Sequence, residues 1–336
     1  MVRTGAHVYV KYGWEGTTYG VLDATGSGQL ADKKFGLQDK MSSLTLTNNK
    51  VNLAKLNQNT VDKFAYGQQQ GSTSMSFTLS SPWIIGSILG TPSIAGSANP
   101  YTHTYPHATN GLPKTARTIQ IELGFDTGVT NLDIVRTLKG GIVGSLSISA
   151  SVGGLVDCST DITYGVETAP SNDLTGTHIP PVKPAQEFPY TFAHAELVFN
   201  GASATDTVVQ CQDVSLSLTQ NAELLYGLGQ HSAATAYKRV LDITGSFKAS
   251  WINKTLLNKL LAQIATVPEE TLGGSYEFIL TFEKSTNEQM VITLSGLTIN
   301  DHGVSGLEPV EPVFEDISWT AKTISVVATN SSSVEQ

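Results

Sequence analysis

The chain has 336 residues, enough for two domains of ordinary size. Charged residues make up only 15%, well under the roughly 25% usual in soluble domains, with Ser, Thr, Gly, Asn and Gln in their place. A net charge of −9, with no window combining Lys and Arg with aromatics, excludes ordinary electrostatic nucleic-acid binding. No apolar run nears the roughly 18 residues of a membrane-spanning helix. Met1–Val10 lacks the apolar centre of a signal peptide, so synthesis and residence in a cytoplasm is expected. A surface of hydroxyls and amides fits a strand-rich protein buried in an assembly, and equally an extracellular β-protein.

In chain order, apolar–polar alternation predicts strands at His7–Val10, Ser43–Thr47, Ser74–Leu79, Thr118–Leu123 and Ser145–Ser149. The same period returns at Val214–Leu218, Phe278–Phe282 and Ile317–Thr320. Ser81, as cap, and Pro82, at the first helical position, predict a helix over Ser81–Leu89. The spacing of Leu256, Leu257, Leu260, Leu261 and Ile264 predicts a second, ended by Pro268. Each helix is expected to cover one face of its sheet. Gly90–Lys114, with Pro92, Pro100, Pro106 and Pro113, reads as a long loop. Thr168–Phe188 carries Pro170, Pro180, Pro181 and Pro184 and reads as a linker of extended chain. Thr329–Gln336 reads as a disordered tail.

Three blocks occur twice in the same order. Ser43–Gln58 returns as Ser215–Gln230, with Leu44/Leu216, Leu46/Leu218 and Asn49/Asn221 coinciding without a gap. Gly71–Phe77, entering Ser80–Leu89, is answered by Gly245–Trp251, entering Thr255–Ile264. Arg117–Leu123 and Leu138–Tyr164 are answered by Tyr276–Phe282 and Leu294–Trp319. The pattern predicts a tandem duplication: a first domain at 1–167, a Pro-rich linker at 168–190, a second domain at 191–328 and a tail at 329–336. Two copies are too few for a solenoid. If both copies sit in equivalent places, Leu46 and Leu218 share burial and strand partners, and so do Phe77 and Trp251.

Catalytic signatures are missing: no phosphate-binding loop, no nucleophile elbow and no H-E-x-x-H occurs. His103 and His107 are four apart, but Pro106 prevents the helix that would align them on a metal, and a surface loop is expected. His178, His194, His231 and His302 have no patterned partners. The acids of Glu308–Asp316 lack the alternating oxygen ligands and central Gly of a calcium loop, so a solvated acidic hairpin or a charged patch facing a neighbour is expected. Cys158 and Cys211 form no C-x-x-C and read as two buried free thiols, with a disulfide across the inter-domain junction or between subunits as the alternative. No catalytic, cofactor-binding or metal residue is assigned, and no cofactor is expected.

The blocks resemble those of the major tail tube proteins of tailed viruses of bacteria or archaea. The resemblance rests on Gly16-Thr-Thr-Tyr-Gly20 after an N-terminal strand, the Gln212–Leu218 strand, Gly245–Trp251, Gly296-Leu297 and Phe314–Trp319. It implies a mainly β fold: two tandem sandwich or half-barrel tube domains, each flanked by one helix. It implies a non-enzymatic virion protein assembled in the host cytoplasm, whose domains form rings of six around a DNA-conducting lumen. Two domains per chain then give three chains per ring. Implied partners are other copies of the chain, a tape measure protein and DNA in the lumen without specific binding. A tail terminator, baseplate proteins and a sheath complete the set, with no membrane. Long loops such as Gly90–Lys114 or Lys11–Lys40 are expected to reach the next ring. The alternative is a baseplate or minor tail protein, or a surface adhesin of tandem sandwiches, with Trp14 or Tyr101 exposed for ligands. A two-domain lectin or carbohydrate-active enzyme would need a carboxylate pair in a cleft.

Overall fold

A computed structural model describes residues 8–23, 33–53, 63–105, 117–125, 134–171, 189–191, 195–201, 204–208, 210–250, 276–308 and 312–332. Its first strands are β1 (Val8–Trp14), β2 (Leu37–Thr47), β3 (Val51–Leu53), β4 (Lys63–Ala65), β5 (Gln70–Thr78), β6 (Ser93–Ala95) and β7 (Tyr101–Tyr105). They are followed by β8 (Ile119–Phe125), β9 (Ile134–Ser151), β10 (Val156–Tyr164) and β11 (Val166–Ser171). The second half opens with β12 (Ala195–Gly201), β13 (Ala204–Val208), β14 (Cys211–Thr219), β15 (Glu223–Leu225), β16 (Thr235–Tyr237) and β17 (Asp242–Ser250). It closes with β18 (Tyr276–Ser285), β19 (Glu288–Ser295), β20 (Thr298–Ser305), β21 (Phe314–Ala321) and β22 (Thr323–Asn330).

The fold is mainly β, and two large sheets dominate it. The first runs β2-β5-β10-β9-β14-β17-β21-β20, with β8, β1 and β11 attached at β9. The second runs β13-β12-β18-β19-β22-β7-β6. Their facing sides close one apolar core, as period-two alternation demands. Phe278 of the second sheet lies edge-on between Phe247, at 5.2 Å, and Trp319, at 5.6 Å, of the first. Such pairs add about 0.5–1.5 kcal/mol beyond burial.

Along the first sheet, the quartets β2-β5-β10-β9 and β14-β17-β21-β20 take their strands from the matched sequence blocks in the same order. Gly71 opposes Tyr164 and Gly245 opposes Trp319; Ser74 opposes Asp161 and Lys248 opposes Asp316. Both glycines are there for space. A Cβ on Gly71 would stand 2.0 Å from the Tyr164 ring, and one on Gly245 2.3 Å from the Trp319 ring. The Tyr164 hydroxyl reaches across β5 to donate to the Thr45 carbonyl at 2.8 Å. In the other layer, β1-β8-β9-β11 has the order of β12-β18-β19-β22. The chain turns between layers at Gly140 in the first half and Gly296 in the second, with φ of 65° and 68°. That region favours glycine.

The halves share sheets instead of meeting as separate bodies. Ser145–Ser151 of β9 pairs antiparallel with Asp213–Thr219 of β14, and β22 pairs with β7. Backbone N–H and C=O groups need partners, and each half supplies an edge to the other. The stretch read as a long loop therefore contains the β6–β7 hairpin, which extends the second sheet. Part of the expected linker is strand: β11 runs to Ser171, and Arg136 of β9 donates two hydrogen bonds, 2.6 and 2.8 Å long, to Glu167. Tyr190, at the linker's far end, is buried and exchanges backbone hydrogen bonds with Leu79 and Val156. The tail begins later than expected, since β22 includes Thr329 and Asn330.

The predicted first helix is shorter and deeper than expected. A 3₁₀ turn, Trp83–Ile85, runs into α1 (Gly86–Leu89), and every residue of both is buried. No side chain caps the turn, so Ser81 does not play the role its position implied. The segment plugs the core rather than covering a face, because Trp83, Ile84, Ile85, Ile88 and Leu89 leave no polar side. The predicted second helix and Trp251 lie outside the described residues.

The Gly16–Gly20 motif braces the Gly140 corner. Glu15 accepts N–H bonds from Gly20 at 2.9 Å and Gly140 at 2.6 Å, and the Tyr19 hydroxyl donates to the Gly140 carbonyl at 3.0 Å. Burial pushes the Glu15 carboxyl above the ordinary range, against the pull of hydrogen bonds from Thr118, Gly140 and Gly20.

Gly71→Ala should cost about 1–3 kcal/mol in denaturant unfolding, as overpacking does, and much less in a Tyr164→Leu background; an equal cost in both backgrounds would clear the ring of blame. A Glu15 with a raised folded pKa stabilises fully below the ordinary value of about 4.3 and loses that contribution as pH rises through the folded value. The stability gap between wild type and Glu15→Gln should therefore be widest near that acid limit and narrow toward neutrality. A widening gap would mean that the two N–H donors hold the carboxylate ionised.

Candidate assembly surface

The side of the first sheet that faces away from the core is a field of hydroxyls. Period-two alternation puts Ser72, Ser74 and Ser76 of β5 on it, beside Ser145, Ser147 and Ser149 of β9 and Ser215 and Ser217 of β14, while the residues between them pack inward. Cross-strand hydrogen bonds knit the field: Thr45 to Ser72 at 2.8 Å, Ser215 to Ser246 at 2.8 Å and Asn300 to Thr320 at 2.7 Å. Asp161 accepts from Ser74 and Ser145, and Asp316 from Ser305. Such pairs contribute roughly 0.2–1 kcal/mol each. Asp157, Asp161, Asp213, Asp242, Asp301 and Asp316 stand on this face against Lys40 and Lys248, so its charge is acidic. Two depressions in it, of about 390 and 270 Å³, share Ser149 and Asp157 in their linings.

The eight-strand run of this sheet ends in open strands among the described residues, β2 at one end and β20 at the other, and the attached β1 and β11 are each paired with one strand only. The edge explains a departure from expectation. Leu218, between β17 and β9, is 1% exposed, whereas Leu46, with β5 on one side only, is 42% exposed. The registers also differ by two residues, Leu46 facing Gly71 but Leu216 facing Gly245, which keeps the same face inward. Beside β2 lies a groove of about 790 Å³ with a mixed lining, in which Val10, Leu44 and Phe125 stand alongside Lys34, Asp39 and Arg136.

Residues singled out in the sequence fall in varied places. His103 is not in a surface loop: it is fully buried in β7, its ring edge-on to Trp83 and Nε2 2.9 Å from the Ser332 carbonyl. His107, His178 and His194 lie outside the described residues. His231 is exposed and bonded to the Gly67 carbonyl. The acidic stretch is not uniformly solvated, because Glu315 is 2% exposed, with His302 Nε2 3.8 Å away. Alternation along β21 sends Glu315 inward and Asp316 outward, a phase the run of acids does not reveal. Cys158 and Cys211 are both free; Cys158 is buried and Cys211 half-buried. Burial pushes the Cys211 thiol up to about 12 and Cys158 higher still. Trp14 is 7% exposed beneath the Arg117 guanidinium, which removes it as an exposed ligand platform. Among the described residues, no group of three or more His, Cys, Asp or Glu could hold a metal. No helix there is long and apolar enough to cross a membrane.

The fold is a mainly β sandwich with one hydroxyl-covered face and open strand edges. The family model for phage tail tube proteins matches residues 5–321, and the chain belongs to that family. It is thus a structural component of a bacteriophage virion tail. No curated protein matches the chain.

Proposed function

We propose that three copies of this chain close a ring of pseudo-sixfold symmetry, and that stacked rings form the tube through which viral DNA leaves the virion. The observation that carries this reading is the joint between β9 and β14. It places two quartets of equal strand order side by side, head to tail, within one chain. Each half is then one tube domain, a duplication supported by the matched pairs Gly71–Tyr164 and Gly245–Trp319 and by the two corner glycines. A heterologous contact of this kind, repeated with a constant rotation, closes a ring.

The hydroxyl face is the lumen wall in this reading. DNA that must slide should be held weakly, and a wall of neutral hydroxyls with aspartates repels phosphate without trapping it. The chain has no enzymatic role, and assembly takes place in the host cytoplasm with a tape measure protein in the lumen. The baseplate or adhesin alternative loses support with the burial of Trp14.

Electron microscopy of concentrated protein, with a mass measurement of the particles, should show rings or tubes with a central hole and three chains per ring; a ring of six chains would defeat the duplication reading. Charge reversal at Asp161 and Asp213 together should leave rings intact but slow DNA ejection. Unchanged ejection from such virions would remove the acidic lining from the mechanism.

A further inference from the structure

Each half carries a small two-stranded sheet on the loop after the first strand of its quartet: β3-β4 follows β2, and β15-β16 follows β14. Asn49 and Asn221, at matched places, open these loops with positive φ of 41° and 47°. Both sheets enclose loops of equal length, 54–62 and 226–234, and share one register, with Asn52 facing Phe64 as Leu224 faces Ala236. Their surroundings differ. Ala236 is 3% exposed, whereas every residue of β3 and β4 is exposed, Phe64 to 53% and the nearby Tyr66 to 67%.

What β15-β16 covers is the corner of the first half. Gly140 turns β9 from one layer into the other, and Gly165 is the single residue between β10 and β11; both are buried. A Cβ on Gly165 would stand 2.4 Å from Ala233 Cβ and 3.5 Å from Leu224 Cδ1, so this small sheet of the second half is seated directly on the backbone of the first. The second half has the same corner. Gly296 matches Gly140, and Lys322 is the single residue between β21 and β22. There Gly296 is only half-buried and Lys322 is exposed.

We propose that the β3-β4 sheet of one copy docks on the Gly296–Lys322 corner of its neighbour in the same ring, as β15-β16 docks on the Gly140–Gly165 corner within the chain. The docking rests on the ring reading above. The occupant and its seat differ from the internal pair in a matched way. Leu224 lies over a glycine, whereas its counterpart Asn52 meets Lys322, and the Asn52 amide oxygen accepts a hydrogen bond from the ammonium group. Phe64 and Tyr66 present ring faces to the same cation. In the free chain Lys50 holds that place, 4.1 Å over the Phe64 ring. Val51 and Leu53, 54% and 48% exposed, add apolar surface to the hairpin, and exposed apolar side chains gathered on one element mark a contact surface.

The test uses the full chain, with Cys211→Ser as background and Cys158 left buried. Asn52→Cys and Lys322→Cys together, treated with a short bis-maleimide after assembly, should give a covalent ladder ending at three chains, with yield about tenfold or more above either single cysteine. Phe64→Ser with Tyr66→Ser should leave thermal unfolding of the dispersed chain unchanged, because both residues are exposed. The same pair should raise the protein concentration needed for ring formation about tenfold or more. A ladder running on past three chains would put the hairpin on the next ring of a stack and overturn the docking. So would rings from the Phe64→Ser, Tyr66→Ser variant at the unmodified concentration. Rings in the microscope without any cross-link would also overturn it and leave the ring reading standing. Absence of rings in the unmodified protein, with no cross-link, would overturn both.

Discussion

Antiparallel pairing at a strand edge is the constraint on which this architecture depends. A strand in a sheet has two rows of backbone donors and acceptors, and a sandwich of four-stranded layers leaves rows open at each end. Inside the chain one such row is closed by joining β9 to β14, and the second layer is extended by joining β7 to β22. The two halves consequently share a core. Phe247, Phe278 and Trp319 knit the layers of the second half, as Tyr12, Phe35 and Phe77 form an aromatic chain in the first. Separating the halves would expose a ladder of hydrogen bonds as well as apolar surface, which ties the stability of one half to that of the other.

The same alternation that fills the core also makes the wet face. Every second residue over Ser72–Ser76 of β5, Ser145–Ser151 of β9 and Ser215–Thr219 of β14 is a serine or threonine, while its neighbours point inward. Low charge content, puzzling as a bulk property, becomes intelligible once located: hydroxyls pair across strands at close to 2.8 Å and so order the face without long charged side chains. Aspartates are spaced among them and anchored by serine donors, as at Asp161. Short hydrogen-bonded side chains thus give the face stiffness without strong charge.

Glycines set the geometry at two kinds of place where a side chain would prevent it. Gly71 and Gly245 let an aromatic ring from the adjacent strand lie flat across the sheet, and Gly140 and Gly296 let the chain turn from one layer into the other. The Gly16–Gly20 motif has its physical explanation at the second of these, where Glu15 and Tyr19 hold the Gly140 backbone. Its sequence neighbours gave no hint of that distant partner.

The sequence by itself determined strand phase, the matched blocks and the family, because period-two alternation and local spacing are written residue by residue. The inward positions of Leu146, Leu216 and Leu218 were legible in this way. Tertiary structure alone decided which edges meet. Hydrogen bonding between backbones carries no side-chain signature, so neither the β9–β14 joint nor the capture of the β6–β7 hairpin by β22 could be read from spacing. Burial of His103, Glu315 and the short helix was likewise a matter of what folds over them. Leu46 and Leu218 illustrate the division: identical in sequence and pattern, they differ in exposure because one has a strand on each side and the other has an open edge.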